Sequence, residues 1–387
     1  MAQLSKRVTD LRGSPVRAML AAAQQPGMIS FAGGLPSPDS FGEVKQTLSL
    51  APPTADVLQY GPSEGEPELR RAIAADMQAL GLDCPAKRVL VLSGSQQGID
   101  LVAKLFVDAG TRVAVEAPAY LAALQVFRFF GGAFQTLDER DPGAGWTTTV
   151  APALAYVTPT FQNPTGRCWD AGQRQGLAEA CDHTRVALFE DDPYRDLAYD
   201  SCERRPIAAR VRRASWIYQG SFSKTLAPGL RLGFLAASED LYPHLLRLKQ
   251  AADLHSNRLS QWIVLQHLVD PGRAARLERL VDSYRGKRDR FAELMTRHLG
   301  NGAQWTTPPG GLFFWVSLPG DIDVEALLQA AMARGVLFTP GSAFYPEPQD
   351  APPVLRLNFS HASAEAADRG LAILGALLRE GAGRRAA

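Results

Sequence analysis

The stretch Val89-Leu90-Val91-Leu92-Ser93-Gly94-Ser95-Gln96-Gln97-Gly98-Ile99 decides the fold. Four consecutive apolar residues predict a short strand buried on both faces. Beyond them Ile99, Val102, Ala103 and Phe106 recur at helical spacing. Residues 93–98 are therefore a turn from strand to helix, with backbone N–H groups directed outward at the strand's C-terminal end. A helix start there offers unpaired donors and partial positive charge, which suits a phosphate, and Ser95 and Gln96 could add side-chain contacts. Glycine and serine also open many helices simply as caps, so the turn alone leaves both readings open.

Working outward, short apolar runs alternate with helical patterns from about residue 87 to 238, which predicts an α/β unit with a mostly parallel sheet covered by helices. The candidate strands are 89–92, 112–116, 154–158, 186–190, 216–219 and 232–236. From about residue 275 a long charged helical stretch, 276–299, is followed by strands at 311–318 and 354–359 and a last helix at 364–379. This predicts a smaller α+β domain. Residues 1–41 read as an arm with an irregular lead-in, because Gly33-Gly34-Leu35-Pro36-Ser37-Pro38 cannot continue a helix or strand. The expected divisions are 1–41 for the arm, 42–274 for the large domain and 275–387 for the small one.

Composition narrows the function classes. A chain of 387 residues, 46% hydrophobic and 21% charged, has ample material for a core and suggests two or three domains. Its formal charge of +1 gives no electrostatic argument for nucleic acid or an anionic membrane. Cys84, Cys168, Cys181 and Cys202 form no C-x-x-C pair and no metal-ligand spacing, so reduced thiols are expected and no metal site is. The first ten residues lack the apolar centre of a signal peptide, and no apolar run reaches the roughly eighteen residues of a membrane span. A cytoplasmic enzyme is the expectation.

Four segments carry the chemistry. In Ser221-Phe222-Ser223-Lys224, one of the chain's seven lysines sits between hydroxyls, and Arg231 follows in Gly229-Leu230-Arg231-Leu232-Gly233. An amine nucleophile among phosphate ligands is what a pyridoxal phosphate enzyme needs, while a plain surface loop is the alternative. Arg231 opens an otherwise apolar strand, where a charged residue wants a buried anion. Asn163, in Gln162-Asn163-Pro164-Thr165-Gly166, is held in a loop after a strand, able to donate to a phenolate oxygen or simply to form a turn. Glu190-Asp191-Asp192-Pro193-Tyr194 brings three carboxylates to a strand end, where a protonated pyridine nitrogen, a divalent metal or solvent could relieve their repulsion. Finally, Val354-Leu355-Arg356-Leu357-Asn358-Phe359 alternates so that Arg356 can offer a fork to a carboxylate, or stand solvated on an edge strand.

Together with Ser30-Phe31-Ala32-Gly33-Gly34-Leu35-Pro36 and Gln59-Tyr60-Gly61-Pro62-Ser63-Glu64-Gly65, these motifs resemble, in order and over nearly the whole chain, the fold-type I pyridoxal phosphate aminotransferases of class I/II. The branch is that of 2-aminoadipate, kynurenine and multi-substrate enzymes. The resemblance implies an aspartate aminotransferase-like fold with a seven-stranded sheet. It implies that Lys224 forms the Schiff base and then moves the proton, that Asp191 pairs with the pyridine nitrogen, that Tyr194 and Asn163 hold the phenolate oxygen and that Tyr120 stacks on the ring. Ser95, Gln96, Ser221, Ser223 and Arg231 would form the phosphate cup. Tyr60 would reach the phosphate of a neighbouring subunit, which implies a homodimer. Arg356 would clamp the substrate carboxylate, with Arg17 and Gly34 beside the substrate.

The implied activity is transfer of an amino group from an L-amino acid to a 2-oxo acid, with 2-oxoglutarate expected, by a ping-pong mechanism. β-Elimination, decarboxylation or racemisation on the same fold is the alternative, since these motifs do not choose which bond breaks. An effector-binding role inside a transcription regulator is not expected, because the matching motifs start by about residue 14. The aromatic residues of Gly310-Gly311-Leu312-Phe313-Phe314-Trp315, with Phe338, Phe344 and Tyr345, could favour aromatic or long aliphatic substrates or merely pack a core. Arg17 would instead favour acidic ones.

Overall fold

A computed structural model describes residues 5–9, 21–50, 53, 55–147, 151–320 and 322–383. Thirteen strands follow in chain order: β1 Ile29–Ser30, β2 Val89–Leu92, β3 Arg112–Val115, β4 Ala133–Thr136, β5 Leu154–Val157, β6 Ala187–Asp191, β7 Trp216–Ser221, β8 Gly233–Ala237, β9 Gln304–Trp305, β10 Phe313–Ser317, β11 Val336–Leu337, β12 Thr339–Pro340 and β13 Val354–Asn358. Seven of them form one sheet in the order β2-β8-β7-β6-β5-β3-β4. Only β8 runs against its neighbours.

That single reversal matters for the site. The carboxyl ends of β2, β3, β5, β6 and β7 share one edge of the sheet, where ligands of open α/β sheets bind. The start of β8 meets the same edge, because Gly233 pairs with both Leu92 and Ser221. Residues just before β8 therefore join the loops that follow the parallel strands.

The sheet is buried on both faces, as its continuous apolar strands predict. Val89, Val91, Ala155, Leu188 and Tyr218 pack into one cluster. Their alternate neighbours Leu90, Leu92, Leu154, Phe189 and Ile217 pack into another on the opposite face. Each such aliphatic side chain removed from water contributes about 1.5–3 kcal/mol. The six strands expected from sequence are present within two residues at each end. The seventh is β4, an edge strand whose residues Ala133-Phe134-Gln135-Thr136 are all exposed or half-buried and so lack the apolar run that marked the others.

A four-stranded antiparallel sheet, β12-β13-β10-β9, packs under helices Arg273–Leu299 and Ala364–Gly383 with its own core. Here β13 lies between β12 and β10, with Arg356 paired to Trp315 and Thr339. The strand of Arg356 is thus internal, which removes the solvated edge-strand reading. β1 pairs with β11, and the chain then crosses to the site through hydrogen bonds from Asn358 N to Phe31 O (2.8 Å) and Thr339 Oγ1 to Ala32 O (2.9 Å). Among the described residues no helix is long and apolar enough to cross a membrane.

Candidate active site

A cavity of about 380 Å³ opens at the strand edge, and Lys224 projects into it from the loop after β7. Its Nζ donates to Gly34 O at 2.8 Å and lies 5.7 Å from the centre of the Tyr194 ring. Burial pulls the amine down to about 8, and the positive charges of Arg356 and Arg231 pull the same way. An amine in that range sheds its proton far more readily than a surface lysine and becomes a nucleophile.

The three carboxylates ending β6 are sorted by their partners. Glu190 faces away from the cavity, 3.7 Å from Arg174 Nη1, and accepts from Ala208 N at 2.9 Å. Asp192 accepts from Tyr218 Oη at 3.1 Å and sits 3.7 Å from Arg195 Nε. Asp191 alone of the three lines the cavity, and its partners are neutral: Tyr156 Oη at 2.9 Å and Gln219 Nε2 at 2.9 Å. All three side chains are buried, so the solvated-loop reading fails. Burial raises Asp191 to about 6 against the two hydrogen bonds, so a cation entering the cavity would find an uncompensated carboxylate there.

Tyr156, Gln219 and Arg174 are absent from the sequence reading. Gln219 carried a usable signal, a lone amide in the apolar strand Trp216-Ile217-Tyr218-Gln219, where a buried polar group demands a partner. Its side chain also explains a glycine. A Cβ on Gly98, inside helix Ser95–Phe106, would lie 1.7 Å from Gln219 Oε1.

Ser95 and Gln96 start that helix and line the cavity with Ser221, Ser223 and Arg231. Gly94 has φ +83°, and a Cβ there would come within 2.5 Å of Arg231 Nη2. The turn is thus shaped to let a guanidinium lie across it beside the helix N-terminus. Arg231 itself corrects the expectation of a buried residue opening a strand. It is exposed and left-handed (φ 47°), β8 begins only at Gly233, and the residue lines the cavity wall.

Asn163 joins two groups: its Nδ2 donates to Tyr194 Oη at 3.5 Å and its Oδ1 accepts from Arg356 Nη1 at 2.6 Å. Arg356 is buried, also donates to Ala32 O and to Thr339 Oγ1 (3.3 Å), and leaves Nε without a partner. Its guanidinium carbon lies 4.2 Å from the Phe313 ring centre and 4.9 Å from that of Phe344. Those aromatics support the guanidinium and are not cavity-lining, while Phe338 is core. Tyr120, preceding helix Leu121–Phe129, also lines the cavity, and burial pushes its hydroxyl up to about 12.

Gly33 and Gly34 line the cavity opposite Lys224, but Tyr60 does not: it is 77% exposed, its ring 5.7 Å from that of His255. Arg17 lies outside the described residues. What converges is a depressed amine, an uncompensated carboxylate, a helix start with hydroxyls and a guanidinium, and a second guanidinium with a free Nε. This donor set fits pyridoxal phosphate, one group for each of its functions, with a carboxylate fork left over.

Comparison with known proteins agrees. The family described as aminotransferase class I and II matches residues 27–374. The chain is 33% identical to aromatic-amino-acid aminotransferase 1 of Thermococcus litoralis, over 97% of this chain and 94% of that one. It is 34% identical to 2-aminoadipate transaminase of Thermus thermophilus, over 95% and 94%. The structure of a Pyrococcus horikoshii kynurenine aminotransferase, solved with PMP and kynurenine, superposes with a TM-score of 0.88 at 31% identity, covering 98% of this chain and 97% of that one.

Proposed function

Because the chain belongs to the class I and II aminotransferases, we propose that Lys224 is the residue through which it moves an amino group from an L-amino acid to a 2-oxo acid. The protein is a pyridoxal phosphate-dependent aminotransferase. When bound, the cofactor supplies an aldehyde for the amine and an electron-withdrawing ring that stabilises negative charge at the substrate Cα. The observation that carries the assignment of Lys224 is its depressed amine in the same cavity as Asp191 and Arg356.

The roles follow from the contacts. Lys224 Nζ anchors the cofactor and, once displaced by substrate, takes and returns the Cα proton. Asp191, held by Tyr156 and Gln219, keeps a proton on the pyridine nitrogen. Ser95, Gln96, Ser221, Ser223 and Arg231 hold the phosphate, Tyr194 and Asn163 the phenolate oxygen, and Tyr120 covers the ring. Arg356, braced by Phe313 and Phe344, turns its fork to the substrate α-carboxylate and orients the Cα–H bond. We read residues 42–274 as the cofactor-binding domain, and 1–41 with 275–387 as the arm and smaller domain. The exposed Tyr60 reaches the phosphate of a second subunit, which makes the working unit a homodimer with shared sites, in the cytoplasm. Arg17 and Gly34 are assigned to the substrate side.

The relatives act on aromatic amino acids, 2-aminoadipate and kynurenine by name, so these head the list of donors, with 2-oxoglutarate as acceptor. A panel of 2-aminoadipate, glutamate, kynurenine, leucine and phenylalanine should convert the absorbance of the lysine-bound cofactor to that of its amine form, and 2-oxoglutarate should restore it. Release of ammonia with pyruvate, or of carbon dioxide, without that conversion would assign the site to elimination or decarboxylation instead.

A further inference from the structure

Glu116 is buried but does not line the cavity. It is the first residue after β3, and each of its carboxyl oxygens faces a buried N–H group. Oε2 accepts from Thr158 N at 2.7 Å and Oε1 from Trp169 Nε1 at 3.2 Å. Those donors stand at the two ends of the loop that carries Asn163, since Thr158 follows β5 directly and Trp169 comes just before the cap of helix Ala171–Thr184. Residues 158–169 belong to no strand or helix, so their buried polar groups need other partners. Arg174, buried on that helix, serves the carbonyls: Nε donates to Trp169 O at 3.0 Å and Nη2 to Pro159 O at 2.9 Å. Glu116 serves the N–H groups. Unlike Arg174 it also shares a segment with Tyr120, four residues on, and Gln162 Nε2 closes the same gap by donating to Pro118 O at 3.0 Å.

We propose that Glu116 is a positioning residue for the phenolate oxygen of the cofactor, acting through Asn163. Holding both ends of residues 158–169 against the Tyr120 segment, it fixes Asn163 where its amide meets Tyr194 Oη and its oxygen meets Arg356 Nη1. A loop pinned at one end would swing about the pin, and the two contacts of Asn163 need its carboxamide fixed in both place and plane. Burial pushes the Glu116 carboxyl up to about 8, but a protonated carboxyl keeps acceptor capacity on its oxygens, so the two bonds persist on either side of that value. The inference rests on Asn163 being the phenolate partner in the proposed function.

Glu116→Met removes both acceptors with little change in length, and Glu116→Gln keeps one. In E116M holoenzyme, deuterium exchange of peptides covering residues 158–166 should run at least about tenfold faster than in the parent, with peptides of β6 unchanged. A donor on the phenolate oxygen draws charge from it, so a misplaced Asn163 should raise, by roughly half a unit or more, the pH at which the lysine-bound cofactor changes absorbance. E116Q should recover part or all of both effects. N163A should shift that absorbance in the same direction, and adding E116M to N163A should move it no further, because the group through which Glu116 acts is gone. A role in stability alone would lower the melting temperature of E116M and leave the absorbance where it was, which overturns the proposal, as does a shift that adds in full to that of N163A. Parent holoenzyme whose 158–166 amides exchange as fast as those of exposed loops overturns it as well, with no variant required to fold. An N163A protein with unchanged absorbance overturns the phenolate assignment first and the role of Glu116 with it, so the two failures are told apart.

Discussion

Replacing Gly98 by alanine tests how Asp191 is held, because the methyl lands not on the carboxylate but on the group that positions it. The new Cβ would sit 1.7 Å from Gln219 Oε1 and 2.9 Å from Leu92 Cδ1, inside a helix whose backbone needs no glycine conformation at that residue. Alanine itself favours the helix by about 1 kcal/mol. Against that, overpacking a closed site costs about 1–3 kcal/mol, and a displaced Gln219 loses its hydrogen bond to Asp191 Oδ1, worth about 1.5–3 kcal/mol when the acceptor is charged. The midpoints leave a net loss of about 3 kcal/mol. Holoenzyme G98A should therefore unfold several degrees lower than the parent, and its bound cofactor should lose the absorbance of the nitrogen-protonated form at a lower pH. The decisive comparison is a double-mutant cycle with Q219A. Two of the three atoms nearest the methyl belong to Gln219 and the third is the flexible end of Leu92, so adding G98A to Q219A should cost less than about 1 kcal/mol. If instead the two losses add, Gly98 and Gln219 act independently and the proposed linkage from helix to carboxylate is wrong.

Lys224→Ala should abolish the borohydride-fixed cofactor adduct while shifting the melting temperature little, since it removes an amine that burial already disfavours; an adduct that survives would place the anchor elsewhere. Arg356→Lys keeps a charge but loses the fork stacked between Phe313 and Phe344, and two weakened charge-assisted bonds, about 3 kcal/mol, predict a kcat/KM for amino donors lower by about 10²-fold. The buried carboxyls Glu116, Glu190, Asp191 and Asp192 are raised by burial to about 8, 7, 6 and 6 from ordinary values of 4.5 and 3.8. Between those limits the folded chain binds more protons than the unfolded one, so stability is lost as pH rises. The melting temperature of cofactor-free protein should fall from about pH 5 to about pH 7, and a rise would refute the burial argument. Bound cofactor should flatten the slope, because its ring cation favours the charged form of Asp191.

Much of this site could be read from single residues, because the loops that hold it are short and follow apolar strands whose period is plain. Val89-Leu90-Val91-Leu92 before a glycine turn placed Ser95 and Gln96 at a helix start, and the register did the rest. What escaped was set by long-range pairing. β4 was missed because an outer strand has little to bury, and Ala133-Phe134-Gln135-Thr136 accordingly lacks a continuous apolar run. Arg231 was assigned to a strand because its neighbours are apolar, yet its left-handed backbone turns the chain out before β8. The aromatics at 313 and 344 could be read as substrate contacts or as core packing, and the group they meet is the guanidinium of Arg356.

The carboxylate run shows most clearly why chemistry had to wait for packing. By residue type Glu190, Asp191 and Asp192 are equivalent claimants on a cation, and in the sequence it is the family resemblance alone that singles out Asp191. A strand alternates its faces, so Glu190 and Asp192 fall on the side away from the cavity, where Arg174 and Arg195 meet them, and Asp191 falls on the other, where only Tyr156 and Gln219 wait. Neutral donors fix an anion's position without cancelling its charge. If Arg174 or Arg195 had faced Asp191, the carboxylate would already be neutralised and the cavity would hold no charge for a pyridinium to answer. The distribution of the two arginines, neither of which lines the cavity, is therefore what leaves one of three acids available to the cofactor.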